Sequence, residues 1–247
     1  MTNKKTLIVL SIIIFVVLGF SLTPRLYSLY TINKVIEQQG GKEQINHLKE
    51  RSIDVSNVFS DRVTDVVLNF VKLKTPLGYK KYQDDFQVSA NSYMYYLEDE
   101  HDYKSIIITD KFNYPSVIDS LKNYIDGQNK TLIGIDNFRS DFELTTFFFE
   151  LQPDNLSLLS TLDDIQIAMA SMVFRTIYIP FHGGLYKFSL GNKYRGLQFG
   201  EANLNHIVRV NVYDSHKLLI ELAFNGLTQQ EIDFVLSTLE VTNRTDL

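Results

Sequence analysis

Histidines, paired carboxylates and one cluster of cations are the residues whose types suit chemistry. His47, His101, His182, His206 and His216 never fall at His-x-x-x-His or His-Glu-x-x-His spacing. That spacing sets two imidazoles on one helical face, where they share a metal. No metal site is expected, and no cofactor. Phe181-His182-Gly183-Gly184 has the glycines with which an oxyanion loop exposes backbone N–H groups. No Gly-x-Ser-x-Gly elbow supplies a nucleophile, so the glycines read as a strand-to-strand turn. An envelope hydrolase with a non-standard active site near His182 stands as the alternative function. Asp214-Ser215-His216 has the letters of a triad in a row, but triad members meet in space, and here they form a turn. Asp84-Asp85 and Asp163-Asp164 are adjacent pairs whose side chains diverge. The acidic run Glu98-Asp99-Glu100-His101-Asp102 lacks the glycine and alternating spacing of a calcium loop, and reads as a solvated turn. Walker-type and Gly-x-Gly-x-x-Gly phosphate loops are absent.

The cations are more suggestive. Residues 127–247 hold nine basic side chains, and Lys187, Lys193, Arg195 and Arg209 fall within one strand-rich stretch. They are candidates for binding an anion or acidic partner. Whether they meet depends on a turn. With Gly191-Asn192 as the loop, Lys187 and Arg195 point to opposite faces; with Gly191-Asn192-Lys193 they share one.

The elements that must position them begin with an apolar run. Leu7–Leu22 holds sixteen uncharged residues, with Lys4 and Lys5 before it and Arg25 after. With its flanking threonines it spans ~27 Å as a helix, close to the hydrocarbon core of a bilayer. It is long for a signal-peptide core, no small-x-small cleavage site follows, and Pro24 lies close behind. An uncleaved, single-pass signal anchor is expected, its N-terminus in the cytoplasm by the flanking lysines. The remainder would then lie outside, at a bacterial inner membrane and facing the periplasm. The absence of cysteine excludes disulfides, thiolate metal sites and a thiol nucleophile. Without Lys4, Lys5 and Arg25, 21 basic residues face 29 acidic ones, leaving about −8. Such a domain is a poor nucleic-acid binder. Its partner is expected to be a protein or small ligand of the envelope, as for an accessory or immunity-type protein.

Four regions are expected: a cytoplasmic tip and anchor over 1–25, a stalk over 26–59, a mostly helical subdomain over 60–126, and an α+β subdomain over 127–247. Residues 60–247 are also compatible with one domain. The fold class is α+β, with a C-terminal antiparallel β-meander packed by helices. Helical spacing predicts a stalk helix within 27–50, broken at Gly40-Gly41. It also predicts helices over 61–74 (Val63, Val66, Val67, Phe70, Val71), 82–100, 115–126 and 153–173. Strands are expected at 103–109, 131–135, 141–151, 176–180, 185–190, 193–199, 207–213 and 217–224. Thr228 and Glu231 form a capping box for a last helix reaching Leu239. In the last hairpin a three-residue loop sets Val212 opposite Leu218, Val210 opposite Ile220, and Arg209 opposite Glu221.

Overall fold

The computed structural model describes residues 22–38, 47–54, 63–68, 71–76, 78–81, 92–98, 103–127, 137–150, 156–157, 160–161, 164–165, 168, 184–202 and 206–241. These fall into two compact units, divided at positions 45/46, 146/147 and 178/179. In the first, helix α1 (22–38) buries Ile32 and Ile36 against Ile165 and Ala168. Its other side exposes Leu26, Tyr27 and Tyr30. Apart from Leu22, the expected span Leu7–Leu22 lies outside the described residues. No helix among the described residues is long and apolar enough to cross a membrane.

The second unit is α+β with a large mixed sheet. Its strands are β1 (Leu48–Glu50), β2 (Val63–Val67), β3 (Val71–Pro76), β4 (Lys80–Lys81), β5 (Ser92–Glu98), β6 (Tyr103–Asp110), β7 (Leu185–Leu190), β8 (Tyr194–Phe199), β9 (Ile207–Tyr213), β10 (Leu218–Asn225) and β11 (Glu240–Val241). Helix α2 is Val117–Gly127, α3 is Asp141–Glu150, whose last four residues fall in the first unit, and α4 is Gln229–Ser237. The eight-stranded sheet runs β1-β7-β8-β9-β10-β6-β5-β4, and the small sheet β11-β3-β2. Among the described residues every pairing is antiparallel except β1 with β7.

Period-2 alternation places Val208, Val210 and Val212 of β9 on one face with Ile220, Leu222 and Phe224 of β10 and Ile106 and Ile108 of β6. That face buries against Val71 and Leu73 of β3 and Ile232, Val235 and Leu236 of α4. The expected capping box starts α4: Thr228 Oγ1 accepts from Glu231 N at 3.3 Å, and Glu231 Oε2 accepts from Thr228 N at 2.8 Å.

Several expectations are corrected. Leu48–Glu50, assigned to the stalk helix, is a strand parallel to β7. The helix expected over 61–74 is the β2–β3 hairpin, closed by Leu68 N donating to Val71 O at 2.8 Å. Its valines are β-branched and prefer a pleated surface. The alternation of buried Val71 and Leu73 with exposed Lys72 and Lys74 is a strand pattern. Within 82–100, Ser92–Glu98 is strand β5, whose tyrosines pair along β6. Asp141–Glu150, expected as a strand, is helical. Ser140 Oγ caps it by accepting from Glu143 N at 3.2 Å, which outweighs the phenylalanine alternation.

The last hairpin keeps its expected faces from Ile220 onward, but Leu218 moves to the Tyr213 face and the register shifts. Asp214 Oδ1 accepts from His216 N at 2.6 Å and Lys217 N at 2.7 Å, which makes a four-residue loop. Leu218 therefore pairs with Tyr213, and a bulge at Leu219 shifts the ladder so that Val212 meets Ile220. Arg209 lies opposite Ala223, not Glu221, and Glu221 pairs instead with Lys111 Nζ at 3.0 Å. The segments 131–135 and 176–180, the acidic run at 99–102 and His182 lie outside the described residues.

A cationic groove at the edge of the large sheet

The β7–β8 turn decides where the cations fall. It is the three-residue loop 191–193, with Leu190 opposite Tyr194 and Gly191 at φ 57°, a left-handed value that favours glycine. Lys187 and Arg195 therefore share a face of the hairpin. Beside the turn lies a groove of about 1090 Å³, whose lining includes Lys187, Lys193, Arg195 and Arg51. Arg209 belongs to the same sheet face by register, yet it sits between Phe199 and Ala223 and does not line the groove. Three of the four candidate cations thus line one groove, and Arg51 joins them from the other face of the sheet, since it is Glu50 that lies in register with Lys187.

Each cation is held differently. Lys187 Nζ lies 3.4 Å from Glu50 Oε1, but the Glu50 side chain is 83% exposed, so water weakens the pair. The Arg195 guanidinium lies 5.5 Å from the centre of the Phe142 ring, which makes a T-shaped contact with Tyr213. The face of Phe142 thus steers Arg195 through a ring contact that uses none of its N–H donors. Lys193 is exposed at the turn. Among the described residues neither Lys193 nor Arg195 has a carboxylate partner.

Arg51 is the most constrained. Its Nη1 donates to Asp233 Oδ1 at 2.6 Å, and its guanidinium carbon lies 5.1 Å from the centre of the Phe188 ring. That ring needs Gly196 opposite it, since a Cβ there would lie 2.2 Å from Phe188 Cζ. Asp233 also accepts from Gln229 Nε2 at 2.8 Å and Asp54 N at 3.1 Å, and Gln229 pairs with the buried Gln198. Arg51 Nε and Nη2 are buried with no hydrogen-bond partner among the described residues. Nothing local marks Arg51 in the sequence, because its carboxylate is 182 positions away.

The apolar side of the groove comes from Ile53, Phe188, Leu190, Leu236 and Leu239. Tyr194 also lines it; burial, then the nearby Asp214 charge, pushes its pKa above the usual tyrosine value of 10.0. It is a neutral hydroxyl at physiological pH. No cluster of three or more histidines and carboxylates among the described residues is arranged to hold a metal ion. No protein-family model and no curated protein matches the chain. A cationic, partly apolar groove without an assembled nucleophile and base can bind an anionic group; the described residues around it offer no bond-breaking constellation.

Proposed function

We propose that the protein is a membrane-anchored, extracytoplasmic binding protein of the bacterial envelope whose groove takes an acidic partner. The observation that carries the reading is that Lys193 and Arg195 line one groove with Lys187 and Arg51 and have no carboxylate partner among the described residues. In a chain of net charge −5, such cations concentrate positive potential in one place. The anchor rests on the uncharged run Leu7–Leu22 behind Lys4 and Lys5. The exposed Tyr27 and Tyr30 on α1, shortly after that run, suit the headgroup layer, where tyrosine is enriched.

Binding of labelled poly-L-glutamate to the full chain in detergent tests the groove. Affinity is expected to fall as salt rises, and to fall about tenfold in Lys193→Glu/Arg195→Glu. Equal binding by this variant would remove the groove from the reading. Location is checked separately. An enzyme reporter active only outside the cytoplasm, fused after Leu247, is expected to be active; activity of a cytoplasmic reporter alone would reverse the topology.

A further inference from the structure

The β1–β7 ladder stops early. It runs from Leu48 opposite Leu185 to Glu50 opposite Lys187, and its last bond is Arg51 N donating to Lys187 O at 3.0 Å. The chain then leaves the sheet, with Asp54 N turned to Asp233 Oδ2. Strand β7 continues for three more residues, Phe188–Leu190, paired among the described residues with β8 alone. The carbonyl of Lys187 points to the β1 side, so by the two-residue period the N–H and C=O of Ser189 point there too. Ser189 is exposed and lines the groove, and no described residue takes up these two groups.

The two sides of this open edge differ in chemistry. On one lie Lys187 and Arg195, brought together by the three-residue turn. On the other lie Phe188 and Leu190, with Leu236 and Leu239 beside them in the groove and the Arg51 guanidinium, tied to Asp233, over the Phe188 ring. A strand laid along the edge would send successive side chains to these two sides in turn. Carboxylates would meet the cations and apolar groups the Phe188 side. We propose that the groove receives an extended polypeptide segment with alternating acidic and apolar residues, which adds to β7 by main-chain hydrogen bonds to Ser189. This is the strand-addition mode of peptide recognition, in which backbone bonds supply affinity and alternate side chains supply choice. The inference rests on the acidic-partner reading of the groove and specifies the partner's conformation.

The test uses the full chain in detergent and the fluorescein-labelled peptide acetyl-Glu-Val-Glu-Val-Glu-Val-Glu-amide, followed by anisotropy. Saturable binding is expected, weakened about tenfold when lysine replaces glutamate. Two N-methylated forms, carrying methyls on the glutamates or on the valines, present opposite edges. Only one of them should lose about tenfold, because only one edge faces β7. Ser189→Pro should lose a similar factor with an unchanged melting temperature, since the N–H it deletes points away from β8. If both methylated peptides bind like the parent, strand addition falls while the acidic groove stands. If the glutamate and lysine peptides bind alike, or neither binds, both readings fall. A chain that dimerises in detergent, becomes monomeric as Ser189→Pro and ignores the peptide would assign the edge to a second copy and overturn the proposal.

Discussion

Asp141 and Asp233 are both buried carboxylates, and the fold satisfies them in different ways. Asp141 has no cation beside it among the described residues. Its Oδ1 accepts from Ser116 Oγ at 2.7 Å and Ile118 N at 3.1 Å, and its Oδ2 accepts from Leu218 N at 3.3 Å. Neutral dipoles converge on it from the start of α2 and the start of β10, so one side chain ties three elements together. Asp233 instead pairs with the charge of Arg51 and adds Gln229 Nε2 and Asp54 N. It pins the segment after β1 to α4, and it leaves two nitrogens of its partner without hydrogen bonds among the described residues. The first site is a complete junction. The second is a clamp with unspent donors, and it sits at the groove.

Removing one member of each tie separates the two. Asp233→Ala strands the Arg51 cation in a site where its side chain is only 13% exposed, and is expected to cost about 3–5 kcal/mol in urea denaturation. A loss under about 1 kcal/mol would mean that Arg51 escapes to water. Asp141→Ala orphans three donors without stranding a charge, and should cost about 3 kcal/mol. The double replacement Arg51→Met/Asp233→Leu is expected to return to within about 1 kcal/mol of the natural chain, because an apolar pair can substitute for a buried ion pair. No apolar partner is available to rescue Asp141→Ala in the same way, since the donors it orphans include backbone groups.

The smallest effect concerns a group that belongs to neither tie. The Tyr79 hydroxyl is buried without a partner among the described residues, and its pKa is raised by burial first and by Glu231 second. The folded state therefore holds this proton more tightly than the unfolded chain. Its contribution is intact below the ordinary value of 10.0 and is lost as pH rises beyond it. Tyr79→Phe should raise stability by about 1 kcal/mol at neutral pH and flatten the alkaline loss, as read from melting temperature against pH.

Legibility in the sequence follows the reach of each signal. The meander β7–β10 and α4 can be read because their turns carry local chemistry: glycine at 191, Asp214 accepting from its own loop, and Thr228 with Glu231. The first half misleads because Val63, Val66, Val67 and Val71 fit helical spacing by coincidence, while in the fold β2 and β3 pair with each other as a hairpin. The Lys72-Leu73-Lys74 alternation and the Ser140-to-Glu143 cap are signals present in the chain that outweigh the helical and strand patterns overlying them. In the groove, Lys187, Lys193 and Arg195 can be suspected from proximity in sequence, but their meeting depends on turn length. Arg51 and Asp233 become a pair only when β1 docks beside β7. The bulge at Leu219 escapes any register argument that assumes regular strands.

That bulge bears on changes in chain length. The β9–β10 hairpin carries one residue more than its ladder needs, so losing one residue between Tyr213 and Ile220 can be absorbed by straightening the bulge, with Val212 still facing Ile220. The β7–β8 hairpin has no such slack, for its ladder is regular from Leu185 opposite Phe199 to Leu190 opposite Tyr194. A single deletion in its turn would part Lys187 from Arg195 onto opposite faces. Variation in length is thus cushioned at the hairpin away from the groove and forbidden at the one that assembles it.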